Sequence, residues 1–377
     1  MPKKKPSNIS TNPKHVPKVN KIKKTLPKKK PYLGWNLFTH GVTQSILQKF
    51  IGCRDRAHKS LALGLKSTDR KEAMEYGTIF HKLIEEGARM GSAYSRTKMV
   101  QIMTQYMKLK YPSPESLLLC KIGLAQYHKY KEWEADKPKY KYIAQEPVFK
   151  EAITLPATHF NPCPEISINI PRTEIILRGR IDEVIEKNGE IWLQENKTKG
   201  RIDLSFLADT IPENIQVMFY AVAAELKYGR PIKGVIYNVI RKPGQRQRKN
   251  ESDEDFVTRI GKEIEENPSY YFYRLQYAFP PGSIEKWKRE ELFPILYQIY
   301  IWWRSIEKNP TQPWQDEGGN PNPFHGRKSF GIYDALSQGK GDFFDLIVHG
   351  RTNGLIVDHE HFPELQDDPD LTEQFDD

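Results

Sequence analysis

Cysteine is scarce: Cys53, Cys120 and Cys163 are the three in 377 residues, and no two stand in a C-x-x-C spacing. That spread argues against a disulfide framework and against a closed structural zinc site. It fits reduced thiols in a cytosol-like compartment. Long apolar runs are missing as well; none approaches the roughly 20 residues that span a bilayer. The basic N-terminus is not followed by an apolar segment, so a secretory leader is not expected. The expectation is a soluble, cytoplasmic protein with no membrane partner. Acidic residues are absent from residues 1–31, which hold eleven lysines and six prolines. The net charge of +10 therefore sits in that arm, and the rest of the chain is close to neutral. Such a segment cannot build a core and reads as a disordered basic tail suited to phosphates or to an address signal. The far end is the reverse: Lys and Arg are absent after Arg351, while residues 358–377 include nine acidic ones. Residues 351–377 read as an acidic tail.

Residues 32–350 read as one domain without an internal repeat. Thr43 is placed to cap a helix through residue 50, and helices are expected over 69–90, 95–110 and 114–135. An extended stretch over 142–149, an irregular Pro-rich loop over 155–171 and a hairpin follow. Pro212 suits the first turn of a helix ending near Tyr228, and residues 233–240 form a short, β-branched apolar strand. Beyond a basic loop (241–250) come a helix over 253–266, a strand over 271–279 and an aromatic helix over 283–308. This order predicts an α/β core with a mixed, partly antiparallel sheet flanked by helices, with helical insertions.

The chemistry concentrates in the stretch ILRGRIDEVIEKNGEIWLQENKTKG. Asn188-Gly189 is a strong hairpin signal, because a type I′ turn needs positive φ at both central residues. A two-residue loop pairs Lys187 with Glu190, which would set Asp182 opposite Glu195 and Arg180 opposite Lys197. Opposed side chains on one sheet face lie roughly 5 Å apart, where like charges repel. Two carboxylates so placed call for a cation. Ile191, Leu193, Glu195 and Lys197 share one strand face, the pattern of a strand leaving a core for a cleft. An isolated E-x-K is more often a solvated strand edge, but the two apolar residues on the same face weigh against that. Carboxylates suit Mg2+ or Mn2+, and Lys197 could stabilise a phosphorane-like charge or position and deprotonate water. These parts describe metal-assisted phosphodiester hydrolysis.

Two helices bear on the same space. Met74, Gly77, His81, Ile84 and Ala88 recur at helical spacing, with Gly77 one turn before His81 and Glu85 one turn after. A lone histidine on an apolar stripe is more often a core residue than a ligand; Gly77 beside it permits a close backbone approach. Gln216 and Tyr220, four residues apart, are neighbours on the helix after the hairpin.

Gly77-Thr-Ile-Phe-His81, Gly179-Arg-Ile-Asp182, Glu195-Asn-Lys197 and Gln216-Val-Met-Phe-Tyr220 together resemble the RecB-type exonuclease branch of the PD-(D/E)XK nuclease superfamily. The segment 44–56, with Phe50-Ile-Gly-Cys53-Arg54, is similar to that branch's first helix. The resemblance covers residues 44–240 well and implies a restriction-endonuclease-like core in residues 32–350. It implies that His81, Asp182 and Glu195 hold the metal, with the Asn196 carbonyl as a further ligand. Asp182, Glu195 and Lys197 would be catalytic, and Gln216 and Tyr220 would orient the lysine or a DNA phosphate. Glu146 stands where relatives often carry an acid. Arg178 and Arg180, with Arg241, Arg246 and Arg248, would form a basic rim for DNA.

The activity implied is that of an exonuclease acting on DNA ends in phage or bacterial DNA processing, repair or recombination, with a recombination or repair complex as its protein setting. An endonuclease on branched or nicked DNA and a silent DNA-binding scaffold are the alternatives. Some relatives clamp an iron–sulfur cluster with one early and three late cysteines. Cys53 fits the early place, but no cysteine follows Cys163, so no iron–sulfur cluster is expected. Packing through Trp302, Trp303 and Trp314 is expected to hold that region instead.

Overall fold

The computed structural model describes residues 34–358, apart from 69–71, 136, 138–139, 164–165, 308, 310–311, 316–317, 326–342, 344–345, 348–350 and 353. The basic arm expected over 1–31 and the acidic stretch beyond 358 lie outside the described residues.

Thr43 is extended, and its hydroxyl accepts the Ile46 amide to open α1 (Gln44–Gly52). A one-turn α2 (Arg54–Ala57) and a short β1 (Leu65–Ser67) follow. Three longer helices come next: α3 (Glu72–Met90), α4 (Arg96–Lys110), capped by Ser95, and α5 (Pro114–Ala135). The strands β2 (Lys141–Gln145), β3 (Val148–Leu155), β4 (Thr158–Cys163) and β5 (Ile166–Ile170) lead to β6 (Thr173–Arg180), β7 (Glu183–Lys187) and β8 (Glu190–Lys199). Then α6 (Leu204–Thr210) and α7 (Ile215–Tyr228) cross to β9 (Ile232–Arg241). The chain continues through α8 (Asp253–Glu266), α9 (Pro268–Tyr271), β10 (Phe272–Ala278), α10 (Ser283–Trp287), α11 (Phe293–Glu307) and β11 (Leu355–Val357).

Five strands form the central sheet in the order β10-β9-β8-β7-β2. The β8–β9 pair is parallel and the other three pairs are antiparallel. A parallel pair needs a long crossover, which α6 and α7 supply. This is the mixed, partly antiparallel sheet flanked by helices that the sequence predicts. One face of the sheet, with Ile191, Leu193 and Val239, packs in an apolar layer with Leu47 and Phe50 of α1, Phe219 of α7 and Trp302 of α11. Side chains alternate along a strand, so Ile240 points the other way. It joins a second layer built by Phe80, Met103, Tyr127 and Ile260 of α3, α4, α5 and α8. No helix among the described residues is long and apolar enough to cross a membrane.

Several expectations need correction. The loop expected over 155–171 is a two-stranded ribbon, β4 with β5, whose register shifts between Phe160 and Cys163. The extended stretch over 142–149 is two strands, broken at Glu146-Pro147. Pro212 lies in a 3₁₀ turn, and the helix proper starts after Asn214, whose side chain caps the amides of Gln216 and Val217. On α3 the buried stripe is Tyr76, Ile79, Phe80 and Leu83, while Met74 is 66% exposed. Arg180 pairs with Val148 rather than Lys197, because β6 belongs to a separate ribbon with β3. Within the segment read as an acidic tail, β11 pairs with β1 and Asp358 bonds to Lys66.

The C-terminal region is held by polar contacts as well as rings. Trp302 and Trp303 are buried, but Trp314 is half exposed and supplies little packing. Trp302 Nε1 donates to His325 Nδ1 at 3.0 Å, and Arg54 donates to the Phe324 carbonyl at 2.8 Å. Most of the Gly-rich stretch after His325 lies outside the described residues.

Gly179 illustrates how tightly β6 is packed. A Cβ there would lie 2.8 Å from Phe149 Cζ and 3.3 Å from Tyr220 Cε1, both in buried rings. Gly179→Ala should therefore lower unfolding stability by about 1–3 kcal/mol through overpacking. Urea denaturation checks this, and unchanged stability would show that the two rings have room to move.

Candidate active site

The hairpin forms as its turn chemistry dictates. Asn188 and Gly189 both have positive φ (54° and 80°). Register runs from Lys187–Glu190 to Glu183–Gln194. One residue further the ladder stops, and Asp182 meets β8 by another route: its Oδ2 accepts the Asn196 amide at 2.7 Å. The Asp182 carbonyl accepts the Glu146 amide at 2.8 Å. Asp182 thus ties the break between β2 and β3 to the open end of β8.

Glu195 and Lys197 stand on the face expected for them. Glu195 is fully buried, and its Oε2 accepts from Lys197 Nζ at 2.9 Å. Its Oε1 has no hydrogen-bond partner among the described residues. Burial pushes the Glu195 carboxyl up to about 7 against the opposing pull of the Lys197 ammonium, and the Asp182 charge raises it further. Lys197 also donates to Gln216 Oε1 at 2.9 Å. Burial works against its charge, yet the Glu195 and Asp182 carboxylates outweigh that and hold the ammonium above the ordinary lysine range.

His81 reaches the same place from α3. Its Nδ1 lies 3.8 Å from Asp182 Oδ1, and Gly77 one turn earlier lets the helix close on Thr198 of β8, where a Cβ would come within 3.0 Å of the hydroxyl. The cluster that converges most tightly is His81, Glu146 and Asp182, whose ligand atoms all lie within 4.8 Å of one another. Glu146 has a φ of 48°, a conformation an L side chain rarely takes. Burial is the main cause that pushes its carboxyl up to about 8; the charges of Asp182, Glu85 and Glu195 add to this and Arg180 opposes it.

Of the four expected ligands, then, His81 and Asp182 come together with Glu146. Glu195 lies behind them on Lys197, with one oxygen unused. Asn196 reaches Asp182 through its amide N–H. The donor set fits a hard divalent cation: imidazole and carboxylate donors converge, and two carboxyls are raised by burial and by neighbouring carboxylate charge, the second of which a cation would relieve.

Among the residues expected to meet DNA, Gln216 touches Lys197 directly, whereas the Tyr220 ring is buried edge-on to Phe149 and against Gly179. Arg178 is only 3% exposed and donates to the Thr39 carbonyl, so it is turned into the protein, away from any rim. Arg180 stays half exposed beside Glu146, at 4.0 Å. Arg241 stacks on Tyr270, and Arg246 and Arg248 are exposed. Asn214, which seats Gln216 by capping α7, escaped the sequence reading; an Asn directly before an apolar helical run was the available signal.

The raised carboxyls make stability depend on pH. Glu146 titrates near 4.5 when unfolded and about 8 when folded, so its contribution is complete below 4.5 and lost as pH rises through about 8. In chelator, the melting temperature should fall over this window; Mg2+ or Mn2+ should remove most of the fall. A profile insensitive to added cation would contradict a shared cation site.

No curated protein matches the chain. A family model, that of the PD-(D/E)XK nuclease superfamily, matches residues 42–295. The match spans α1 to the start of α11 and takes in His81, Glu146, Asp182, Glu195, Lys197 and Gln216. Members are generally metal-dependent nucleases. By that match, two thirds of its length, the chain belongs to the PD-(D/E)XK nuclease superfamily.

Proposed function

We propose that the chain is a divalent-metal-dependent deoxyribonuclease of the RecB-type branch, hydrolysing phosphodiester bonds from DNA ends. The observation that carries the reading is the meeting of His81, Glu146 and Asp182 beside a buried Glu195–Lys197 pair. The order of the motifs around His81, Asp182, Glu195 and Gln216 supports the branch.

His81, Glu146 and Asp182 would hold Mg2+ or Mn2+, with Glu195 Oε1 the nearby unused donor. A bound divalent cation supplies positive charge against the phosphodiester and acidifies water. The Glu195 and Asp182 carboxylates favour the charged form of Lys197, so its ammonium would serve as a fixed positive charge for the developing phosphorane. Positioning and deprotonating water is the other role expected for it. Glu195 and Gln216 hold its ammonium from two sides, so the charge needs no reorganisation during the reaction. Arg180, half exposed at the edge of the cluster, is the arginine best placed to meet a phosphate; Arg246 and Arg248 are exposed further along.

Labelled linear DNA with Mg2+, Mn2+ or chelator tests this. The wild type should degrade DNA only with the metal. Lys197→Ala should lose about 10²–10³ in kcat while still binding Mn2+, and Asp182→Asn should lose both metal and activity. Gln216→Ala should fall about tenfold, the size of one hydrogen bond to a charged group. Absence of metal-dependent cleavage would sink the reading, and cleavage of closed circular DNA would replace the exonuclease with an endonuclease.

A further inference from the structure

By strand pairing among the described residues, the catalytic stretch of β8 has a neighbour on one side only, and on the other side the Asn196 amide bonds to Asp182. The antiparallel ladder with β7 ends at Glu183–Gln194, and residues 195–199 pair with β9 alone among the described strands. A half-free strand end is a poor support for two charged side chains that must stay in place. The opposite face of the sheet supplies a restraint.

Asn196 of β8, Asn238 of β9 and Arg274 of β10 are cross-strand partners in one row. Hydrogen bonds join them in that order: Asn238 Nδ2 donates to Asn196 Oδ1 at 3.0 Å, and Arg274 Nε donates to Asn238 Oδ1 at 2.6 Å. Arg274 Nη2 then donates to Glu134 Oε1 of α5 at 3.1 Å, where the Tyr130 hydroxyl also donates at 3.0 Å. Asn196 and Asn238 are 2% and 1% exposed, so an amide broken from this row finds no water to replace its partner. Asn238 Nδ2 also donates to the Tyr130 hydroxyl at 3.3 Å. Asn238 thus both donates and accepts at the centre of the row, which a carboxylate or an aliphatic side chain of similar size cannot do. The row ends at the site itself, because the Asn196 backbone amide holds Asp182.

We infer that Asn238, Arg274 and Glu134 are positioning residues, clamping the open end of β8 through Asn196 and thereby setting where Asp182, Glu195 and Lys197 stand. This rests on the nuclease reading for its activity readouts, but not for its structural one. Neither Asn238 nor Arg274 touches the cluster directly, so their effect must pass through the strand. Asn238→Asp keeps the acceptor for Arg274 and turns the bond to Asn196 into a clash of two oxygens. Asn238→Ala removes both of these bonds and the one to the Tyr130 hydroxyl.

The test compares Asn238→Ala, Asn238→Asp and Arg274→Lys with Ile236→Ala, a truncation in the neighbouring row that touches none of these bonds. All are assayed at a temperature where each is folded by circular dichroism. Both Asn238 variants should lose about 10–100-fold in kcat and in calorimetric Mn2+ affinity, the usual cost of losing a group that orients a ligand. KM for DNA should stay near wild type. Arg274→Lys should lose less than the Asn238 variants, since it keeps the charge on Glu134 and one donor. Ile236→Ala should lose stability but keep kcat. Amide hydrogen exchange of Asn196, relative to Leu193 on the same strand, should quicken in Asn238→Ala and not in Ile236→Ala. Wild-type kcat and Mn2+ affinity in folded Asn238→Ala would overturn the inference, as would unchanged Asn196 exchange. Should the wild type prove not to be a metal-dependent nuclease, the function proposed above fails, and the exchange comparison alone decides the clamp.

Discussion

Carboxylate charge crowded into one end of the central sheet is the constraint around which the site is arranged. Burial is the main cause that raises the Glu146 and Glu195 carboxyls, and neighbouring carboxylate charge, that of Asp182 above all, adds to it. Lys197 offsets part of this from inside the protein, and its own burial makes it equally dependent on Glu195. A buried pair of this kind is costly to break, because either partner alone would be an uncompensated charge. The contacts nearby serve the same end: Gln216 braces the ammonium, the Asn196 amide braces Asp182, and Arg180 stands against Glu146. Such a balance is incomplete with side chains alone. A divalent cation would complete it, which is the physical sense in which this arrangement is a candidate metal site.

Strand β8 joins two jobs on its two faces. One face runs from Ile191 and Leu193 in the core to Glu195 and Lys197 at the cleft. The other carries Gln194 and Asn196 into a buried polar region with Glu183, Asn238, Arg274 and Glu134. Glu183 itself is pushed well above the usual carboxylate range, chiefly by burial and then by Glu134 and Asp182. Apolar packing alone would place the strand within the sheet but would leave its free end loose. Directional bonds on the second face specify it where the β7 ladder has already ended.

Local chemistry made the hairpin legible. Asn188-Gly189 allows few backbone geometries, and alternation then sorts β8 side chains between faces, so the register from Lys187–Glu190 to Glu183–Gln194 and the face shared by Glu195 and Lys197 followed from the chain alone. The pairings expected beyond it, Asp182 with Glu195 and Arg180 with Lys197, are not made. The helix cap at Thr43 was equally local. Errors arose where two patterns competed. On α3, the stripe through Met74, His81 and Ala88 overlaps the one through Tyr76, Phe80 and Leu83, and only contact with α5 reveals which is buried. The proline-rich segment looked like a loop because Pro disfavours a sheet interior, yet a two-stranded ribbon has only edges and tolerates it.

The sequence by itself determined the hairpin, the face shared by Glu195 and Lys197, and the main helices and strands, since each depends on turn residues or on a period of a few positions. Tertiary structure alone decided that Glu146 joins His81 and Asp182, that Arg178 turns inward, and that Asn238 and Arg274 line up behind Asn196. Those residues are tens of positions apart or more in the chain. They meet because sheet order and helix packing bring their elements together, and no local periodicity carries that information.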